Sequence, residues 1–134
     1  MQNFSALIVE DDVAQSGLIK LYLEDAFGAH VSVHEADTME AAEKLIGQHE
    51  FAVIIHDLYL PPWGPESVSQ TYRISKGTPI IAVTGQTSPD LYRIAMANGA
   101  SAFCSKEDLA DGHISSIVTQ VAPDLKQADN DNDQ

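Results

Sequence analysis

Phe51-Ala52-Val53-Ile54-Ile55-His56-Asp57 is an apolar run that stops at a carboxylate. It reads as a strand buried on both faces, and a charge at the end of such a strand has to face an open site, because burying an unpaired carboxylate is costly. Three more segments repeat the pattern. Leu7-Ile8-Val9 stops at Glu10-Asp11-Asp12, Ile80-Ile81-Ala82-Val83 at Thr84-Gly85, and Ser101-Ala102-Phe103-Cys104-Ser105 at Lys106. Ligands of open parallel sheets bind beyond the carboxyl ends of the strands. The four ends can therefore converge on one place that holds several carboxylates, one hydroxyl and one amine.

Between these runs lie longer stretches of helical period, five pairs in all, which is the signature of a parallel sheet covered on both faces. Strands are predicted near residues 4–9, 30–35, 51–57, 79–84 and 101–104. The first helix is predicted over 13–26, with Leu18, Leu21 and Tyr22 as its sheet-facing stripe and Gly28 as its end. Asp37 followed by Glu40 has capping-box spacing and opens a helix through Ala41, Ala42, Leu45 and Ile46, with Gly47 as its stop. The third helix has to start after Pro61-Pro62-Trp63-Gly64-Pro65, since prolines are excluded from a helix interior but suit a first turn. Pro89 opens the fourth, which runs through Leu91, Ile94, Ala95 and Met96 to Asn98-Gly99. The last spans 109–121, closed by Pro123.

A chain of 134 residues fits one domain and one main site. Twenty acidic against seven basic side chains give a net charge of −13, and no basic stripe offers itself to phosphate. Direct binding to nucleic acid or to an anionic membrane is therefore not expected. Residues 124–134 carry four aspartates against Lys126 and read as a solvated, disordered tail following a domain of residues 1–123. The single Cys104 permits no internal disulfide and reads as a small core residue of the last strand. With no signal-like leader and no run long enough to cross a bilayer, the expected compartment is the cytoplasm.

Glu10-Asp11-Asp12 occupies the first turn, where a dinucleotide-binding fold would need glycines, so the loop attracts a cation rather than cradling a phosphate. A hard divalent ion prefers oxygen ligands and keeps several waters, which suits Asp11 and Asp57 with a phosphoryl oxygen. The ordered set Leu7-Ile8-Val9-Glu10-Asp11-Asp12, Asp57 with Pro61, Thr84-Gly85 and Lys106 resembles the receiver domain of two-component response regulators, the CheY-like superfamily. The resemblance covers about residues 4–122.

That resemblance implies an α/β fold of flavodoxin-like type: a doubly wound, five-stranded parallel sheet in the order 2-1-3-4-5 with five helices. It implies that Asp57 accepts a phosphoryl group from a histidine kinase or a histidine phosphotransfer protein. Mg²⁺, with Mn²⁺ as an alternative, would be held by Glu10, Asp11, Asp57 and the backbone carbonyl of Tyr59. Lys106 and Thr84 would bind the transferred group, Gly85 would leave it room, and Tyr59 and Gln86 would modulate its lifetime. Thr84 and Phe103 would form the switch that alters a partner-reading face on the fourth helix, last strand and last helix. Such a domain assists its own phosphorylation and dephosphorylation and turns over no external substrate.

The sequence also departs from the family pattern. Glu107 follows Lys106 where the family has proline, which puts that loop in question and offers Lys106 a competing partner. Trp63 sits in an unusually Pro-rich loop, placed either to pack on the third helix or to meet a partner. His56 alternates away from Asp57 and reads as structural. Two other readings compete. One is a pseudo-receiver that binds partners without being phosphorylated. The other is a phosphoaspartate-forming phosphatase of the haloacid dehalogenase class, which expects an acid where Tyr59 stands.

Overall fold

Successive side chains of a strand point to opposite faces, and in this chain both sets are apolar. Strands β1 (Phe4–Val9), β2 (Val31–Ala36), β3 (Val53–Asp57), β4 (Ile80–Thr84) and β5 (Ala102–Ser105) pair in parallel in the order β2-β1-β3-β4-β5. Residues 2–110 and 112–125 are described by this computed structural model. Ala6, Ile8, Val53, Ile55, Ile81 and Val83 face helices α1 (Val13–Phe27) and α5 (His113–Val121), where Ile19, Leu23, Phe27, Ile114 and Val118 meet them. Leu7, Val9, Ile54, Ile80 and Ala82 face α2 (Met39–Gln48), α3 (Glu66–Ile74) and α4 (Pro89–Ala97) through Met39, Ala42, Val68 and Ala95. This is the doubly wound, flavodoxin-like α/β sheet expected from the sequence. Burying each large aliphatic side chain contributes about 1.5–3 kcal/mol, so the two apolar layers carry most of the stability.

The expected stripe of α1 is corrected. Leu18 and Leu21 are 49% and 61% exposed, Tyr22 is half-buried, and the buried line is Ser16, Ile19, Leu23 and Phe27. The helix is apolar on more than one side, so periodicity alone does not choose its face. The edge-to-face contact of Phe27 with Phe4, with ring centroids 5.1 Å apart, fixes it against β1.

The helix boundaries also differ from expectation in three places. Thr38, not Asp37, caps α2: its extended backbone lets Oγ1 accept from the Ala41 amide at 3.1 Å. That helix passes through Gly47 and ends at Gln48, because glycine weakens a helix without stopping it. The stretch predicted as one last helix is broken. A 3₁₀ turn at Glu107–Leu109 comes first, and α5 begins only after Gly112, whose φ of 81° lies in the left-handed region.

Pro89 stands in the first turn of α4 and Gly28 with φ of 58° ends α1, both as the sequence suggests, and Ser88 supplies the cap of α4. Leu125 is 4% exposed and packs into the layer formed with α1 and α5. Residues 126–134, most of the expected tail, lie outside the described residues. Among the described residues, no helix is long and apolar enough to cross a membrane. Cys104 is a buried thiol whose pKa burial pushes up to about 12, so it is a core residue and not a nucleophile.

Candidate functional site

Strand order reverses between β1 and β3, and their last register pair is Val9 with His56. The loop after β1 therefore opens beside the end of β3. This places one carboxylate oxygen from each of Glu10, Asp11 and Asp57 within 4.8 Å of one another. Asp12 is drawn out of this group, because its side chain caps α1 by accepting from the Gln15 amide at 3.0 Å. The third carboxylate of the Glu10-Asp11-Asp12 run is thus a helix cap.

Glu10 is buried. Its Oε2 accepts from the Asp12 amide at 3.2 Å, and its Oε1 lies 2.5 Å from Lys106 Nζ but receives no aligned hydrogen bond. Burial raises its pKa and the negative charge of Asp57 adds to the rise, while the Lys106 contact offsets part of it. Asp57 is 7% exposed, and its Oδ1 accepts from the Tyr59 amide at 3.2 Å. Lys106 enters from the end of β5. Its Nζ is 4.0 Å from Asp57 Oδ2, and it also donates to Gln15 Oε1.

Gln15 was not anticipated as a member of this site. It lies in the first turn of α1, and only the fold of that turn over the sheet ends brings it to Lys106. Glu107 is not among the partners of Lys106. It opens the 3₁₀ turn, and the Lys106–Glu107 peptide is trans; the one cis bond among the described residues is Pro61–Pro62. Thr84 ends β4 opposite Ser105, and a side chain added at Gly85 would meet open space. Gln86 is exposed and Tyr59 is 42% exposed. Phe103 is half-buried, and its ring makes an edge contact with Tyr92 at 6.3 Å. Trp63 is exposed in the loop before α3.

A model of the response regulator receiver domain matches residues 6–118. The chain belongs to the response regulator receiver family. No curated protein sequence matches it. Solved receiver domains share its fold. That of the putative response regulator NarL from Mycobacterium tuberculosis is 22% identical, with 92% of this chain and 98% of that chain covered and a TM-score of 0.78. That of a DNA-binding response regulator (merR) from Colwellia psychrerythraea 34H is 23% identical, with 88% and 97% covered and a TM-score of 0.76. The Saccharomyces cerevisiae response regulator Ssk1, whose receiver domain was co-crystallised with the histidine phosphotransfer protein Ypd1, is represented at 19% identity, 90% coverage of both chains and a TM-score of 0.75.

Receiver domains are signalling modules that bind Mg²⁺ at an acidic pocket, and the cluster of Glu10, Asp11 and Asp57 suits that ion. All the donors are hard oxygens, and the buried Oε1 of Glu10 lacks an aligned donor. Asp57→Asn removes one of three clustered carboxylates. In chelator it should stabilise the domain by roughly 1 kcal/mol, about 4 °C in Tm. Calorimetry giving a lower Tm than the wild type would contradict this picture of like-charge strain.

Proposed function

We propose that this receiver domain is a phosphorelay switch in which Asp57 takes a phosphoryl group from a phosphohistidine. The donor is a histidine kinase or a histidine phosphotransfer protein; the complex formed by the Ssk1 receiver domain supports this class of partner. The reading rests on one observation above the others: Asp57, Glu10 and Asp11 cluster at the strand ends with Lys106 reaching in from β5.

In the transfer, an Asp57 carboxylate oxygen bonds to phosphorus as the phosphorus–nitrogen bond of the donor breaks, and the departing imidazole takes a proton from water. Little covalent chemistry is asked of the protein; it positions the group and neutralises charge on its equatorial oxygens. Glu10, Asp11, Asp57 and the Tyr59 carbonyl would hold Mg²⁺ or Mn²⁺, which when bound supplies part of that neutralisation. Lys106 supplies the rest, Thr84 donates its hydroxyl to a phosphoryl oxygen, and the open space at Gly85 admits the group. Tyr59 and Gln86 set how freely water reaches the phosphoaspartate.

The new charge acts on Thr84 and, through it, on Phe103. Phe103 borders a groove of about 490 Å³ between α4, β5 and α5, where Tyr92, Met96 and Ile117 offer apolar surface to a downstream protein. The chain acts as a cytoplasmic switch that assists its own dephosphorylation and turns over no external substrate.

The test is incubation with Mg²⁺ and a small acyl phosphate, followed by intact-mass analysis. One labile phosphoryl adduct is expected on the wild type and none on Asp57→Ala or in chelator. No adduct from an acyl phosphate or from a phosphorylated kinase would favour the pseudo-receiver instead.

A further inference from the structure

His56 is fully buried, and both of its ring nitrogens are engaged. Nδ1 lies 2.8 Å from the backbone carbonyl oxygen of Asp57, and Nε2 lies 2.9 Å from Thr71 Oγ1 on α3. A carbonyl can only accept, so Nδ1 carries the ring proton and donates it. Nε2 is then a bare acceptor whose donor is the Thr71 hydroxyl.

That hydroxyl also lies 2.9 Å from the Ser67 carbonyl, but a carbonyl inside α3 is already served by the helix amide four residues on. The hydroxyl proton is therefore best used on Nε2, which would otherwise be an unsatisfied buried acceptor. Thr71 is itself fully buried, and its oxygen is 3.7 Å from Met39 Sδ of α2.

The carbonyl that receives Nδ1–H is a consequential one. Pairing between β1 and β3 ends at His56, so Asp57 is the first residue of β3 beyond that ladder. Its peptide determines where the chain goes next, and the next residues are Leu58, pinned to the Val83 carbonyl at 2.8 Å, and Tyr59, the proposed carbonyl ligand.

We propose that His56 is a positioning residue: through Nδ1–H it fixes the Asp57 peptide from inside the core, and Thr71 fixes the ring, so that α3 holds the phosphoacceptor in line. This rests on the reading of Asp57 as acceptor. Misplacement of a reacting group by about 1 Å can cost up to a hundredfold, so loss of one such tether should cost roughly tenfold.

The experiment compares the rate of phosphoryl uptake from a small acyl phosphate at saturating Mg²⁺ in wild type, His56→Leu, His56→Asn and Thr71→Val. The ¹⁵N spectrum of the wild-type imidazole is recorded in parallel. His56→Leu keeps the bulk and loses the donor, and should be about tenfold slower. An Asn amide nitrogen occupies the place of Nδ1, so His56→Asn should recover most of the rate even where its stability does not recover, a split that a packing role would not give. Thr71→Val should fall between them, and it carries the rate test if His56→Leu does not fold. The imidazole should show a protonated Nδ1 and a bare Nε2.

Wild-type uptake in both His56→Leu and Thr71→Val, or a proton on Nε2 alone, overturns the proposal and leaves Asp57 as acceptor. Absence of any adduct on the wild type overturns the acceptor reading itself, and the positioning role falls with it.

Discussion

Lys106→Met is expected to slow phosphoryl uptake at Asp57 by about a hundredfold while leaving Mg²⁺ affinity undiminished. The two halves of this expectation come from where the ammonium sits. Nζ lies 2.5 Å from Glu10 Oε1 and 4.0 Å from Asp57 Oδ2, so Lys106 is first of all the counter-charge of a buried carboxylate that we propose as a metal ligand. It is also the cation poised beside the proposed acceptor as negative charge moves onto that side. Removing one preorganised donor from such a place costs about 10²–10³ in rate. Methionine keeps the length of the side chain, so the loss reports the charge and not a cavity.

The same substitution removes the cation that competes for Glu10, so Mg²⁺ should bind as well or several-fold more tightly, in keeping with roughly 1 kcal/mol for a like-charge neighbour in a partly solvated site. Single-turnover uptake followed by intact mass, with titration calorimetry for Mg²⁺, measures both. Uptake at the wild-type rate would remove Lys106 from the chemistry. Weakened Mg²⁺ binding would mean that it organises the carboxylates rather than competing for them.

The fold was legible because β1, β3 and β4 are apolar runs rich in β-branched residues that lead to a polar side chain, while β2 and β5 follow from the alternation of strands with stretches of helical period. α1 was legible as a helix but not as a face. Leu18 and Leu21 are as apolar as Ile19 and Leu23, and only packing against the sheet and α5 tells them apart. The start of α5 was misplaced because the apolar positions run on from Leu109, while the break depends on the backbone at Gly112, which can be either a flexible helix residue or a left-handed cap.

The site was legible where its residues stand at strand ends, since the sheet itself gathers Glu10, Asp11, Asp57 and Lys106. Gln15 and Thr71 were not, since each reaches its partner across the tertiary fold, over separations of 91 and 15 residues. Alternation along β3 turns His56 away from Asp57, but Thr71 on α3 becomes its partner only in the folded chain.

Acidification in chelator should unfold this domain earlier than its carboxylates alone would, with a loss of about 2 kcal/mol between pH 7.5 and pH 5. Burial pushes the imidazole of His56 down to about 4, against the ordinary value of 6.5, with the neighbouring Asp57 opposing only in part. Between those two values the unfolded chain binds a proton that the folded chain refuses, so stability rises with pH through the window, is complete above about 6.5, and is lost as pH falls toward 4. At about 1.36 kcal/mol per unit the full loss approaches roughly 3 kcal/mol, of which about 2 falls above pH 5.

Glu10 acts with the opposite sign. Its raised pKa means that the folded chain takes up a proton before the unfolded one, so that acidification relieves its burial. Lys106 offsets part of that burial. His34, pushed down by burial and by the adjacent His49 ring 4.4 Å away, adds in the same direction as His56.

Urea unfolding at the two pH values separates these contributions. The wild type should lose about 2 kcal/mol, His56→Asn should lose much less because its side chain does not titrate and only the contributions of His34 and Glu10 remain, and Glu10→Gln should steepen the wild-type slope. An equal loss in His56→Asn would mean that the acid sensitivity lies elsewhere and that the ring accommodates a proton in the core.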